Sequence, residues 1–307
     1  MKTYKCLIWG IGKGYNNNYN KIQLEILKRN IEIVAFISKD IVSPRLDGYD
    51  VVDKSEIVNL QFDYIIVMST TYLKDIKNDI EALGIESDKA ISIQVFDIPC
   101  FDFGRYVSLL ENPITLVSDD CWGGYLYHYL YLKFSSPFIN IPWKKEDFLK
   151  ILNHFKYYME SSLVMKQESN LIECQWPVGI IGEGDMEIEV NFIHAINFAK
   201  AREEWDKRRK RINNNNILVK MSIGGSNEEY ILKEYENTPF EYKYCFCSYE
   251  SDSPCTIHLP RYEWSLKQEK KFVQSYAYDF YIRRMDYQAL SIDLLKFLNH
   301  ESDFIRE

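Results

Sequence analysis

The sequence predicts an α/β protein of two domains, a Rossmann-like parallel sheet followed by a second α/β domain with a mixed sheet. Three observations carry this. The first hundred residues alternate short, continuous apolar runs with amphipathic stretches, the pattern of parallel strands covered by helices on both faces. At 307 residues the chain exceeds what one hydrophobic core organises. Farther on, Pro177–Ile181 and Ile188–Ile193 are strand-like runs separated by a short Gly/Glu/Asp turn, the spacing of an antiparallel hairpin.

In chain order, Cys6–Trp9 is the first strand and runs into Gly10-Ile11-Gly12-Lys13-Gly14. Tyr15–Asn20 lengthens that loop, and Asn20 caps a helix with Ile22, Ile26 and Leu27 on its apolar face. Ile33–Ile37, Tyr64–Met68 and Ala90–Ile93 are the next strands, and a helix before the last of them stops at Gly84. Phe96–Pro113, with Pro99 and Gly104, reads as the connection, so the domains span 1–111 and 112–307. In the second, Ile114–Val117 is the opening strand, and a helix from Tyr125 to about Phe134 ends before Pro137. Asp147–Met159 is a further amphipathic helix. Asn197 caps a helix running to Arg211 that buries Phe198, Ala201 and Trp205. Ile217–Met221 is a strand, Asn227–Tyr235 a helix and Tyr242–Ser248 a strand.

Thirty-seven cations against 45 anions leave a net charge of −8, which argues against a general nucleic-acid binder. No run reaches the ~18 apolar residues of a membrane span, and the amino terminus lacks a signal-peptide pattern. Seven scattered cysteines read as reduced thiols. A cytoplasmic protein is the expectation.

The chemistry is expected at Ser118-Asp119-Asp120-Cys121-Trp122-Gly123-Gly124, where an apolar strand meets two carboxylates, a thiol and paired glycines. A thiol near a helix amino end gains thiolate character, while adjacent carboxylates oppose it. Cys121 is the candidate nucleophile and His194, after a later strand, its base. The opposing reading makes Cys121 a packed hydrophobe and His194 structural. Asp119 and Asp120 could ligate a divalent metal, though helix capping suits one of them better. Trp122 could stack on a sugar ring or anchor the core. Gly123 and Gly124 could offer N–H groups to an oxyanion, or simply satisfy turn geometry. Arg208 and Arg211, three residues apart, could fork onto phosphate, with their cationic neighbours facing water.

Cys245, Cys247, Cys255 and His258 invite a zinc reading, but Cys-x-Cys is also one face of a strand, and no metal is expected there. Gly10, Gly12 and Gly14 resemble part of a dinucleotide fingerprint. The third glycine of that fingerprint would fall at Tyr15, and the second strand ends at Ser38 where a carboxylate is expected.

The first hundred residues resemble the amino-terminal module of bacterial sugar O-acyltransferases, in the glycine loop, Val34–Ile37 and Phe62–Val67. Residues 112–250 resemble a bacterial family, a domain of unknown function often labelled exopolysaccharide-biosynthesis protein. The shared motifs are Ser118–Gly124, Ser136-Pro137-Phe138, Asp147-Phe148, Trp176–Gly179, Phe192-Ile193-His194, and Trp205 through Arg208 and Arg211 to Asn213. Asp119-Asp120 stands where that family usually has Asn-Asn. The resemblance implies polysaccharide assembly or modification. The expected activity is transfer, by preference O-acyl transfer, from a nucleotide-sugar or acyl donor to a glycan acceptor. Alternatives are a non-catalytic nucleotide-sugar or glycan binding module and an NAD(P)-dependent enzyme. The sequence names no cofactor.

Overall fold

The computed structural model describes residues 2–167, 176–223, 229–247, 249–258 and 292–305. It is an α/β protein, and the chain divides into two compact units, Met1–Glu111 with Asp293–Arg306, and Asn112–Ile292. The terminal segment therefore joins the first unit and not the second, contrary to the expected 112–307 domain. Asn227 and Ser248, expected helix and strand ends, lie outside the described residues.

The first unit is built on a six-stranded sheet of order β3-β4-β2-β1-β5-β6. β1 is Tyr4–Trp9, β2 Ile31–Ile37, β3 Arg45–Leu46, β4 Tyr49–Val52, β5 Tyr64–Val67 and β6 Ala90–Ser92. All neighbours run parallel except β3 and β4, a small hairpin the sequence pattern did not reveal. Leu7, Ile37, Ile65 and Val67 are buried in one core with Ile76 and Ile80 of helix α2 (Leu73–Ala82). Continuous apolar strands thus do what their pattern requires, burying both faces.

Helix α1 spans Lys13–Leu27, so the expected Tyr15–Asn20 loop is helix and Gly12, not Asn20, is its cap. Tyr15 is buried and its hydroxyl donates to Asp47 Oδ2 at 2.7 Å, which pulls this stretch into the helix. Gly10 has φ +103°, a left-handed geometry that glycine adopts freely. A Cβ on Gly14 would lie 2.3 Å from the Met68 carbonyl oxygen. Gly14 therefore allows α1 to approach the end of β5. Gly14→Ala should destabilise the protein by about 1–3 kcal/mol through this backbone clash, read as a shift in denaturant midpoint. A midpoint unchanged by the substitution would refute the close approach.

The expected connection at 96–113 is instead structured. A short 3-10 turn covers Ile93–Asp97, and helix α3 spans Phe103–Glu111. α3 receives the terminal segment. Arg105 Nε and Nη2 donate to the two Glu301 oxygens at 2.6 and 2.9 Å, and Asn299 Nδ2 donates to the Arg105 carbonyl.

Among its described residues the second unit has two sheets, one parallel and one antiparallel, where a single mixed sheet was expected. β7 (Thr115–Ser118), β11 (Ile217–Ile223), β12 (Tyr242–Cys247) and β13 (Thr256–His258) form a parallel sheet of order β13-β12-β11-β7. β8 (Val164–Gln167), β9 (Val178–Ile181) and β10 (Ile188–Asn191) form a separate antiparallel sheet of order β10-β9-β8. The predicted hairpin is real, but among the described residues it pairs with β8 and not with the parallel strands.

Helix α4 covers Trp122–Tyr129, earlier and shorter than its pattern suggested. The expected 147–159 helix is two, α5 (Lys145–Asn153) and α6 (Phe155–Glu160), broken at His154. α7 spans Phe198–Arg209, with the Asn197 side chain accepting from the Lys200 N–H and with Phe198, Ala201 and Trp205 buried as expected. α8 is Glu229–Glu236, and α9, in the first unit, is Leu294–Leu298. Phe138, Phe148, Tyr158, Trp205, Val219 and Met221 share the core of the second unit. No helix among the described residues is long and apolar enough to cross a membrane.

Candidate functional site

β7 and β11 lie side by side and parallel, with Val117 opposite Val219 and Ser118 opposite Lys220. Their carboxyl ends therefore open on the same edge, where open α/β sheets place ligands. The edge carries three charged side chains almost out of water and a fourth, Asp120, partly open to it. Lys220 Nζ donates to Asp119 Oδ1 at 3.2 Å and to Asp120 Oδ2 at 2.6 Å. Lys145 Nζ, at the start of α5, donates to Asp119 Oδ2 at 2.8 Å and to the Ser222 carbonyl. The Ser222 N–H adds a third donor to Asp119 at 3.1 Å. Side-chain exposure is 0% for Lys220, 3% for Asp119 and 11% for Lys145, but 24% for Asp120.

The two carboxyls are driven apart. Burial works against ionisation of Asp119, yet the Lys145 and Lys220 ammoniums and their hydrogen bonds hold it below the usual range. For Asp120 burial prevails and raises it; Lys220 pulls it down only in part, and the Asp119 charge adds to the rise. Burial alone would lower Lys220, but Asp119 and Asp120 raise it above its ordinary value. A low-lying and a raised carboxyl sharing one lysine can divide the work of charge and proton transfer.

Asp120 Oδ1 also accepts from the Trp122 N–H at 3.0 Å. The carboxylate that meets the first turn of α4 is thus Asp120, from the residue before the cap, and not Asp119. Cys121 is half-buried at the cap position of α4, just past the end of β7. Trp122 is fully buried and meets the Phe246 ring edge-on at 5.9 Å, so it anchors the core and is not a platform for a ligand.

The Gly123 N–H is engaged by Ser118 Oγ at 3.3 Å and does not face an oxyanion. The glycine pair is explained by packing. A Cβ on Gly123 would meet Leu116 and Ser118 at 3.3 Å, and one on Gly124 would lie 2.7 Å from Asn140 Oδ1. Tyr127 fixes α4 against β7, donating to the Ile114 carbonyl and accepting from the Leu116 N–H.

His194 lies elsewhere in the unit. It is exposed, in the turn after β10, on the wall of a cavity of ≈ 200 Å³ shared with Ile139, Asn140, Phe192, Trp205 and Arg208. Arg208 shares that wall with His194, and Cys121 is not among its lining residues. Arg208 pairs with Glu204 at 3.2 Å and lies over the Phe134 ring at 5.0 Å. Arg211 turns to the Phe134 carbonyl at 3.2 Å and is absent from the cavity wall. The two arginines meet at Phe134 rather than forming a fork. Arg209, expected to face water, donates to the carbonyls of Met159 and Ser161 at the end of α6.

In the first unit, Gly10, Gly12 and Gly14 lie beside the ends of β1 and β5, with the α1 amino end lacking a side-chain cap. Cys245 and Cys247 are neighbours at 3.6 Å between sulfurs on β12, as strand alternation gives. Among the described residues no three His, Cys, Asp or Glu side chains converge as metal ligands.

Sequence reasoning missed Lys220 and Lys145. Lys220 left a trace, since a lysine inside the apolar run Ile217-Leu218-Val219-Lys220-Met221 needs a buried partner. Lys145 left none, because it reads as an ordinary cation before a helix.

Comparison with known proteins bears on the whole chain. A family model described as C2185-like, N-terminal, matches residues 2–91. An uncharacterized protein of Haemophilus influenzae (strain ATCC 51907 / DSM 11121 / KW20 / Rd) is 28% identical over 138 residues, which is 45% of this chain and 63% of that relative. The chain thus spans less than two thirds of that relative's length. A second family model matches residues 92–299, more than half of the chain, and takes in both the β7 edge and the α7 cavity. The chain belongs to the family described as Domain of unknown function (DUF1919).

Proposed function

We propose that this chain is a transferase that modifies an exopolysaccharide or capsule precursor by O-acyl transfer, with its chemistry at the carboxyl edge of β7. The observation that carries the reading is the split carboxyl pair: Asp119 held ionised by two lysines, and Asp120 raised and partly open to solvent, immediately before the Cys121 thiol. In this scheme Cys121 Sγ attacks the carbonyl of a thioester donor, and the donor thiol leaves with the cysteine proton. A sugar hydroxyl then attacks the acyl-enzyme, passing its proton to the Asp120 carboxylate, which hands it on to the departing Cys121 sulfur and so restores the thiol. Asp120 takes the base role first assigned to His194, which lines a cavity that Cys121 does not. The amino-terminal unit, with its order β4-β2-β1-β5-β6, reads as a Rossmann-like module suited to a nucleotide-linked donor at the Gly10–Gly14 loop. A cytoplasmic location accords with such a donor.

A second reading is a non-catalytic module that binds a nucleotide sugar or glycan. It is favoured by the Gly123 N–H being committed to Ser118 and by the charges at the β7 edge being paired with one another. The two readings part on one experiment. Full-length protein is mixed with acetyl-coenzyme A and an oligosaccharide acceptor, and thiol release is followed. Transfer requires acceptor-dependent release that falls on the order of 100-fold or more in Cys121→Ala. Release that persists in Cys121→Ala refutes the nucleophile, and donor or glycan binding without turnover establishes the binding module instead.

A further inference from the structure

The cavity against α7 combines space with lining residues that carry buried N–H donors unpaired among the described residues. Lys200, Ala201, Glu204, Trp205 and Arg208 lie along one face of α7, which forms one wall. Opposite stand the turn after β10, with His194, and the segment after Pro137, with Asn140. Trp205 is 1% exposed, and its indole Nε1 has no hydrogen-bond partner among the described residues. The same holds for Arg208 Nε, one helical turn on, although that guanidinium uses Nη2 on Glu204.

Each such buried N–H costs about 1–3 kcal/mol while unpaired, and both belong to residues that line this cavity. The surrounding charge gives the sign. On the wall itself Arg208 and Lys200 stand against one carboxylate, Glu204, with which both pair; Lys200 also pairs with Glu203 at 2.9 Å, and His194 adds a further donor. Arg208 Nε is moreover the inner arm of the planar fork that matches carboxylate and phosphate. The remaining walls are apolar, from Ile139, Ile141, Phe192 and Ala201, with Ile196 87% exposed at the rim. A volume of ≈ 200 Å³ is below the roughly 300 Å³ of pockets that take a drug-sized ligand. One small ring with one charged group suits it.

We infer that this cavity is a binding site for a small oxyanionic ligand, a phosphate or carboxylate carried on a sugar-sized ring, held against the wall that Trp205 and Arg208 form. The site stands on its own geometry and does not depend on whether the domain transfers an acyl group.

It is also joined to the β7 edge by one continuous segment. Ile139 and Asn140 line the cavity on one side and crowd Gly124 of α4 on the other. A few residues on, the Trp143 N–H donates to the Asp119 carbonyl at 2.9 Å, and Lys145 holds the Asp119 carboxylate.

The test is an NMR titration of the full chain labelled with nitrogen-15. The chain holds six tryptophans, so the Trp205 indole signal is assigned by its loss in Trp205→Phe. The probes are glucose 1-phosphate, glucuronate, glucose and inorganic phosphate. The expected result is a saturable shift of the Trp205 indole signal with glucose 1-phosphate or glucuronate, the one that binds naming the oxyanion. Affinity should fall about tenfold in Arg208→Gln, the loss of one charge-assisted hydrogen bond. Arg208→Lys, which keeps the charge without the fork, should recover only part of it. Four outcomes overturn the inference: no shift with any probe at millimolar concentration; glucose binding as tightly as the charged sugars; inorganic phosphate binding as tightly as glucose 1-phosphate; or undiminished affinity in a folded Arg208→Gln.

Discussion

Replacing Lys220 by methionine should cost the protein about 3–5 kcal/mol, because it strands two carboxyls against a sheet edge with one of their ammoniums gone. Lys220 is fully buried and is the only residue bonded to both Asp119 and Asp120 among the described residues. Asp119 would keep Lys145 and the Ser222 N–H, while Asp120 would lose its cation. Adding Asp120→Asn to Lys220→Met should therefore restore part of the loss, since it removes the unpaired charge. Denaturant midpoints of the three variants decide the matter. A Lys220→Met protein as stable as the parent would mean the ion pairs add nothing net.

The same lysine predicts a limb of the pH–stability curve. Its folded value lies above its unfolded one, so its contribution is complete below about pH 10 and fades as pH rises through the folded value. Asp119 acts in the opposite sense. Its folded value is depressed, so its contribution is present above about pH 4 and is lost as pH falls through the folded value. Lys220→Met should flatten the alkaline limb and make the acid limb shallower, because Asp119 loses one of the charges that depress it.

Trp122→Ala should be as severe, for a different reason. The indole is fully buried beneath α4 and packs edge-on against Phe246. Removing it opens a cavity that costs about 3–5 kcal/mol, a fall in melting temperature on the order of 10 °C for a unit of this size. Trp122→Phe retains a ring and should lose less. If Trp122 were instead a stacking platform for a sugar, Trp122→Ala would melt normally and lose only ligand affinity. The melting curve and the NMR titration described for the α7 cavity, run on one preparation, separate the two roles.

Much of the scaffold was legible because it is local. Continuous runs such as Tyr64–Val67 announced strands buried on both faces, and each is so buried. The stripe Phe198, Ala201 and Trp205 announced the inner face of α7, and Asn197 caps that helix. Ser118–Gly124 was read as the link between a strand and a helix from Tyr125; the strand does end at Ser118, but the helix already begins at Trp122. Where local signals competed, the reading failed. Asn20 has the chemistry of a cap, but buried Tyr15 bound to Asp47 draws the helix back to Lys13. Asp147–Met159 has one amphipathic period, yet His154 breaks it in two.

The roles of the site residues were less legible, since a residue type names chemistry but not its neighbours. Cys121 and His194 are a plausible nucleophile and base on paper, and only one of them lines the α7 cavity. Arg208 and Arg211 do share a helical face, but Phe134 captures the second through its carbonyl. Lys220 reads in the sequence only as one residue of the strand Ile217–Met221.

The sequence by itself determined the class of the protein, the positions of its main strands and the turn that carries Ser118 to Gly124. These follow from the side-chain period and from glycine and capping chemistry, which act over a few residues. Only the tertiary structure decided that Lys220 reaches back about a hundred residues to Asp119 and Asp120, that the Pro177 hairpin forms its own sheet, and that the chain's last helix belongs to the first unit. Strand order and the partner of a buried charge are set by which distant surfaces exclude water together, and no periodicity along the chain records that.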